Sequence, residues 1–89
     1  MEIVYTQRAL AERDYWQKSG NKAVQKKIVK LLEAIVVDPY LGIGKPEKLK
    51  GDLSDYWSTR ITREHRLVYG VNEEKQQITV LSMRFHYDK

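Results

Sequence analysis

A carboxylate, two guanidiniums, an imidazole and a phenol stand out among these 89 residues: Glu47, Arg60, Arg66, His86 and Tyr87. The two arginines bracket RITREHRLVYG, residues 60–70. Around this run Trp57, Ile61, Leu67, Tyr69 and Val71 hold odd positions, while Ser58, Arg60, Thr62, Arg66 and Val68 hold even ones. Period-two alternation marks strands with one buried side, and the odd set is the more apolar. For both strands to bury their odd residues, the loop around Arg63 and Glu64 must hold an odd number of residues. That hairpin register sets Arg60 beside Arg66 on the open face. Their mutual repulsion is relieved if an anion comes between them. An RNA phosphodiester is such an anion and carries its own nucleophile, the 2′-hydroxyl. A protein has only to remove that proton, stabilise charge on the phosphorane and protonate the departing 5′-oxygen. A carboxylate, an arginine and a histidine suit those tasks in that order, and Tyr87 suits stacking on a base or bonding a phosphate oxygen. The same residues have plainer readings. A strand histidine is commonly structural, and Glu47, set among Lys45, Lys48 and Lys50, can serve only to balance charge.

The elements that must position these groups follow from the rest of the pattern. Residues 2–5 form a short β-type run, and Thr6 is suited to cap a helix over 7–18 with Leu10, Ala11, Tyr15 and Trp16 on its buried side. Ser19, Gly20 and Asn21 break that helix. Val24, Ile28, Leu31, Leu32, Ile35 and Val36 then recur at helical spacing, so a second helix packs this stripe on the sheet. Its other face carries Lys22, Lys26, Lys27 and Lys30, either a solvated surface or a track for a phosphate backbone. Pro39 closes it. Residues 40–55 have no clean period and read as a surface loop, long enough in so small a domain to suggest a function. A last strand over 77–87 places Leu81, Met83 and Phe85 on the core side. Ser82, Arg84 and His86 fall on the side shared with Arg66.

Composition bounds what such a chain can be. With 42% hydrophobic and 31% charged residues it reads as one globular domain, residues 1–89, neither disordered nor fibrous. No apolar run approaches the roughly 20 residues that span a bilayer, and the first ten residues lack the layout of a signal peptide, so a cytoplasmic location without membrane association is expected. There is no cysteine, and the two histidines, His65 and His86, are far apart, so no metal or other cofactor is expected and the chemistry should be acid-base in kind. Sixteen Lys and Arg against twelve Asp and Glu give a net charge of +4, which favours a polyanionic partner.

The run GIGKPEKLKGDLSDYWSTRITREHRLVYGV, residues 42–71, together with RFHY at 84–87, closely resembles the YoeB branch of the RelE-like toxins of bacterial toxin-antitoxin pairs. DYWQ in the first helix and KKIVKLLEAI in the second fit the same branch, so the similarity spans nearly the whole chain. The resemblance implies an α+β fold, a small and mostly antiparallel sheet with two N-terminal helices packed on one face. It implies cleavage of messenger RNA in the ribosomal decoding site. On that basis Glu47 is the general base, Arg66 the transition-state clamp, His86 the general acid and Tyr87 a positioning residue, with Lys50, Arg60 and Arg84 holding phosphate. The implied partners are a cognate YefM-like antitoxin, the ribosome and its messenger RNA, and a second copy of the chain. Operator DNA is reached only through the antitoxin. Thr59 stands where the branch often has a further arginine, and Asp88 and Lys89 extend past the tyrosine that usually ends these chains. The rival expectation is a non-catalytic RNA- or ribosome-binding module on the same fold, with a purely structural antitoxin partner as a third. Glu47, Arg66 and His86 together favour the enzyme, since a pure binder has no need of a carboxylate facing phosphate.

Overall fold

Thr6 separates the first strand from the first helix because its hydroxyl serves both. It accepts the Ala9 N–H at 3.1 Å as an N-cap and donates to the Leu81 carbonyl at 2.9 Å, on the strand beside it. The computed structural model describes residues 1–85. They run β1 (Glu2–Tyr5), α1 (Gln7–Ser19), α2 (Lys22–Val37), β2 (Glu47–Lys48), a 3-10 turn (Gly51–Leu53), β3 (Tyr56–Arg60), β4 (Arg66–Asn72) and β5 (Gln77–Ser82).

The two helices meet at Gly20, whose φ of +75° reverses the chain in a conformation that a side chain would disfavour. Asn21 caps α2 by accepting the Val24 N–H at 3.1 Å. The expected stripe holds: Val24, Ile28, Leu31 and Ile35 are buried, Leu32 packs at the margin, and the helix stops before Pro39. In α1 Trp16 is buried as expected, but its buried companion is Ala9, seven positions away on one line. Leu10 and Tyr15, expected inside, are 42% and 43% exposed, and Ala11 is exposed too. Trp16 sets this orientation by sending its indole N–H to the Met83 carbonyl at 2.8 Å.

The five strands lie in the order β1-β5-β4-β3-β2, with β1 parallel to β5 and the other pairs antiparallel. Both helices cover one face, where their buried residues join Ile61, Leu67, Tyr69, Ile78, Val80 and Met83 in a single core. This is the expected α+β arrangement. Arg60 pairs with Arg66 across residues 61–65, a loop of odd length as the alternation requires. The loop is tight because the Thr62 hydroxyl accepts the Glu64 and His65 N–H groups while the His65 carbonyl accepts those of Ile61 and Thr62. Thr59 is buried on the helix side and takes no part in the open face.

Two expectations about strands need correction. The last strand ends at Ser82, and between Val68 and Tyr69 its pairing slips by one residue, leaving Leu81 as a bulge. The bulge reverses parity: Ile78 and Val80 face the core before it and Met83 after it, while Phe85 is 50% exposed. The second correction concerns 40–55, which is not a structureless loop, since β2 within it pairs Glu47 with Ser58 and Lys48 with Trp57. Two residues are too few to display a period. The approach to β2 passes between α2 and β3 at Gly44, where a β-carbon would lie 2.6 Å from Leu31 Cδ2 and 3.1 Å from Thr59. Glycine is what lets the backbone through.

Candidate functional site

On the face away from the helices, three neighbouring strands contribute one polar residue after another. Glu47 on β2 lies opposite Ser58 on β3, and Arg60 at the end of β3 lies opposite Arg66 on β4. Directly opposed residues of antiparallel strands project to the same side, so the pairing collects these groups without help from any loop. Arg66 is the fixed member. Its side chain is only 17% exposed, against 69% for Glu47, and it forks between two partners. Nη2 and Nη1 both donate to Glu47 Oε1, at 2.9 and 3.2 Å, and Nη1 also donates to the Ser58 hydroxyl at 3.3 Å. Among the described residues nothing bonds Glu47 Oε2, which leaves one carboxylate oxygen able to accept a proton.

Beside this pair opens a cleft of about 490 Å³ with Ile43, Gly44 and Ile61 in its walls. Four cationic side chains border it, Lys27, Lys45, Arg60 and Arg66, against the single carboxylate of Glu47. Such an excess suits a phosphate or a short run of phosphates, which guanidinium groups can bind in bidentate fashion. A proton-accepting oxygen next to a bound phosphate is the arrangement that general-base chemistry on a phosphodiester needs. Among the described residues no group of three or more His, Cys, Asp or Glu side chains gathers to hold a metal ion, and no helix is long and apolar enough to cross a membrane.

A family profile described as the YoeB-like toxin of bacterial type II toxin-antitoxin systems matches residues 5–87. The chain belongs to that family. It is 46% identical over 90 residues to a Toxin YoeB of Synechocystis, covering all of both chains. A YoeB/ParE toxin structure from Agrobacterium tumefaciens superposes with a TM-score of 0.91 at 41% identity, covering 98% of this chain and 100% of that one. Two structures from Staphylococcus aureus, a YoeB-YefM complex and a YoeB dimer, each reach a TM-score of 0.85 at 42% and 41% identity, over 98% of both chains.

In this YoeB-like toxin the fold gathers some of the residues singled out by sequence and separates others. Glu47, Arg60 and Arg66 meet at the cleft. Lys50 does not border it, being exposed just before the 3-10 turn. Arg84 turns toward α1, its guanidinium carbon 3.6 Å from the Tyr15 ring centre and 4.7 Å from that of Phe85. His86 and Tyr87 lie outside the described residues, as do Asp88 and Lys89. Three contributors were not singled out from the sequence of this YoeB-like chain. Ser58 shares the even parity of Arg60 and Arg66, a sign that was present. Lys27 was read only as part of the lysine face of α2. Lys45 enters through a left-handed turn, φ +48°, that no periodicity announces.

Proposed function

We propose that this YoeB-like toxin is a ribosome-dependent endoribonuclease that cuts messenger RNA in the decoding site by metal-free acid-base catalysis. The observation that carries the proposal is the Arg66 fork onto Glu47 at the mouth of a cleft bordered by four cations. In the proposed step Glu47 takes the proton of the 2′-hydroxyl, whose oxygen attacks the adjacent phosphorus. Arg66 and Arg60 stabilise the charge on the phosphorane oxygens. The bond from phosphorus to the 5′-oxygen breaks, and His86 supplies the proton to that oxygen, leaving a 2′,3′-cyclic phosphate and a free 5′-hydroxyl. Tyr87 holds the neighbouring nucleotide. Arg66 serves twice: before substrate arrives it balances Glu47, and when phosphate enters it has donors to share with it.

We assign the partners on the same footing. A YefM-like antitoxin neutralises the toxin by folding an acidic segment onto its basic surface, the toxin reaches operator DNA only through that antitoxin, and two copies of the toxin can pair. The Staphylococcus aureus relatives, solved as a YoeB-YefM complex and as a dimer, support both associations. A cytoplasmic location follows from a ribosomal target.

The test is translation of a messenger RNA in vitro with the purified toxin, mapping the new 5′ ends. Cuts inside translated codons that vanish when translation is blocked are expected, and they should disappear with Glu47→Gln, Arg66→Ala or His86→Ala. Ribosome binding without any cut would replace the enzyme by a binding module.

A further inference from the structure

We propose that His65 and Glu12 are positioning residues for the cleavage reaction proposed above, on which this inference rests, acting by fixing the backbone from which the chain continues into His86 and Tyr87. Past Ser82 the chain leaves the ladder, yet its backbone is not left to solvent. Glu12 Oε1 on α1 accepts the Met83 N–H at 2.8 Å, and the Trp16 indole donates to the Met83 carbonyl at 2.8 Å. His65 Nδ1 accepts the Phe85 N–H at 2.8 Å, and the Arg66 N–H donates to the Phe85 carbonyl at 3.2 Å. Both backbone groups of Met83 and of Phe85 are therefore held, three of the four by side chains from outside the sheet. An N–H can only donate, so the His65 ring must present an unprotonated Nδ1 to it, with its proton on Nε2. The ring is itself seated edge-on against Trp16, centres 4.9 Å apart at 85°, and 4.9 Å from the Phe85 ring.

Two features argue that this clamp does more than bind a chain end. Phe85 has φ +59°, a left-handed backbone that a non-glycine residue adopts only where its surroundings hold it. And His65 directly precedes Arg66. One dipeptide thus sends a guanidinium into the cleft and an imidazole to the segment leading into the candidate acid, so both are referenced to the same point of β4. Acid catalysis requires the donor within hydrogen-bond reach of the leaving oxygen, and small displacements there are costly. No role in the chemistry is needed for His65 itself, since its hydrogen bond goes to backbone and its ring packs on Trp16 and Phe85.

The experiment uses the full chain carrying His65→Ala, His65→Asn or Glu12→Ala, and reads amide exchange at Phe85 and Met83 in the free protein alongside cleavage on translating ribosomes. His65→Ala and Glu12→Ala should lower kcat by about 10- to 100-fold with KM for ribosomes unchanged, the size expected of a misplaced catalytic group. His65→Asn, whose side-chain oxygen can accept the Phe85 N–H, should recover most of that loss. Phe85 should exchange faster in His65→Ala and Met83 faster in Glu12→Ala. Wild-type kcat in a folded His65→Ala protein, or an asparagine variant no better than alanine, would overturn the proposal. Should the unaltered toxin not cut RNA, the enzymatic reading fails by itself, while unchanged Phe85 exchange in His65→Ala would separately dismiss the clamp.

Discussion

Arg66 donates twice to one oxygen of Glu47, yet that ion pair contributes little to holding the fold. Pairs with so exposed a partner are worth about 0.2–1 kcal/mol, whereas a general base contributes about 10² to 10⁴ in rate. Folding and chemistry are therefore separable at this residue. Glu47→Gln keeps the shape and can still accept from Arg66, but it cannot take up the 2′-proton. We expect near-native thermal stability, single-turnover cleavage reduced by about 10² to 10⁴, and ribosome binding equal to or tighter than that of the unaltered protein. Unchanged cleavage with tighter binding would show that Glu47 only balances the positive charge around it. That residue-scale pairing was partly readable in advance. The shared parity of Ser58, Arg60 and Arg66 placed them on one face. The place of Glu47 beside them required the two-residue β2, which leaves no trace in periodicity.

Among the elements, those with long and one-sided contacts were readable and those shaped by a local irregularity were not. The stripe of α2 repeats over sixteen residues and meets one continuous surface, so periodicity alone locates it. The bulge at Leu81 hides Ile78 and Val80 because one extra residue exchanges the faces of β5. In α1 the indole bond of Trp16 outweighs the local pattern and turns Leu10 and Tyr15 outward. Gly44 offers a test at this scale, since its backbone threads between α2 and β3 three residues before Glu47. Gly44→Ala should force Leu31 or Thr59 aside, destabilise the protein by about 1–3 kcal/mol and reduce cleavage through displacement of β2. A melting temperature and turnover equal to those of the unaltered protein would mean the loop yields freely. Tyr69 offers another, because its hydroxyl on β4 donates to the Pro39 carbonyl just beyond α2. Burial, then the nearby Asp38 and Tyr40, raise its ionisation well above the ordinary value of 10.0. The folded state thus keeps this proton where the unfolded chain releases it. The associated stability is complete below about pH 10 and is lost as pH rises beyond it. Tyr69→Phe should flatten that alkaline decline in denaturant titrations, leaving a smaller one from Tyr40, which its hydrogen bond to Glu73 also shifts upward.

For the whole molecule, the net charge of +4 is less informative than where the cations lie. Lys27 and Lys45 come from distant parts of the sequence and meet Arg60 and Arg66 only in the folded cleft, which is why no linear motif announced them. The slope of log affinity for single-stranded RNA against log salt counts the phosphates engaged, at about 0.7 per contact. Lys27→Ala should lower that slope by about 0.7, and joint replacement of Lys22, Lys26 and Lys30, which do not border the cleft, should leave it nearly unchanged. Equal effects from both changes would point to diffuse attraction by the whole surface. The parallel pairing of β1 with β5 bears on the order in which the protein can be made. Among the described residues, Glu2–Tyr5 pair with Gln77–Ser82 alone, and that strand also pairs with β4. A growing polypeptide emerges from its first residue onward, so it cannot complete this sheet until Gln77–Ser82 has been made. The nascent toxin therefore stays without its finished fold until β5 has emerged, and a chain interrupted before β5 lacks the strand that joins β1 to the rest of the sheet.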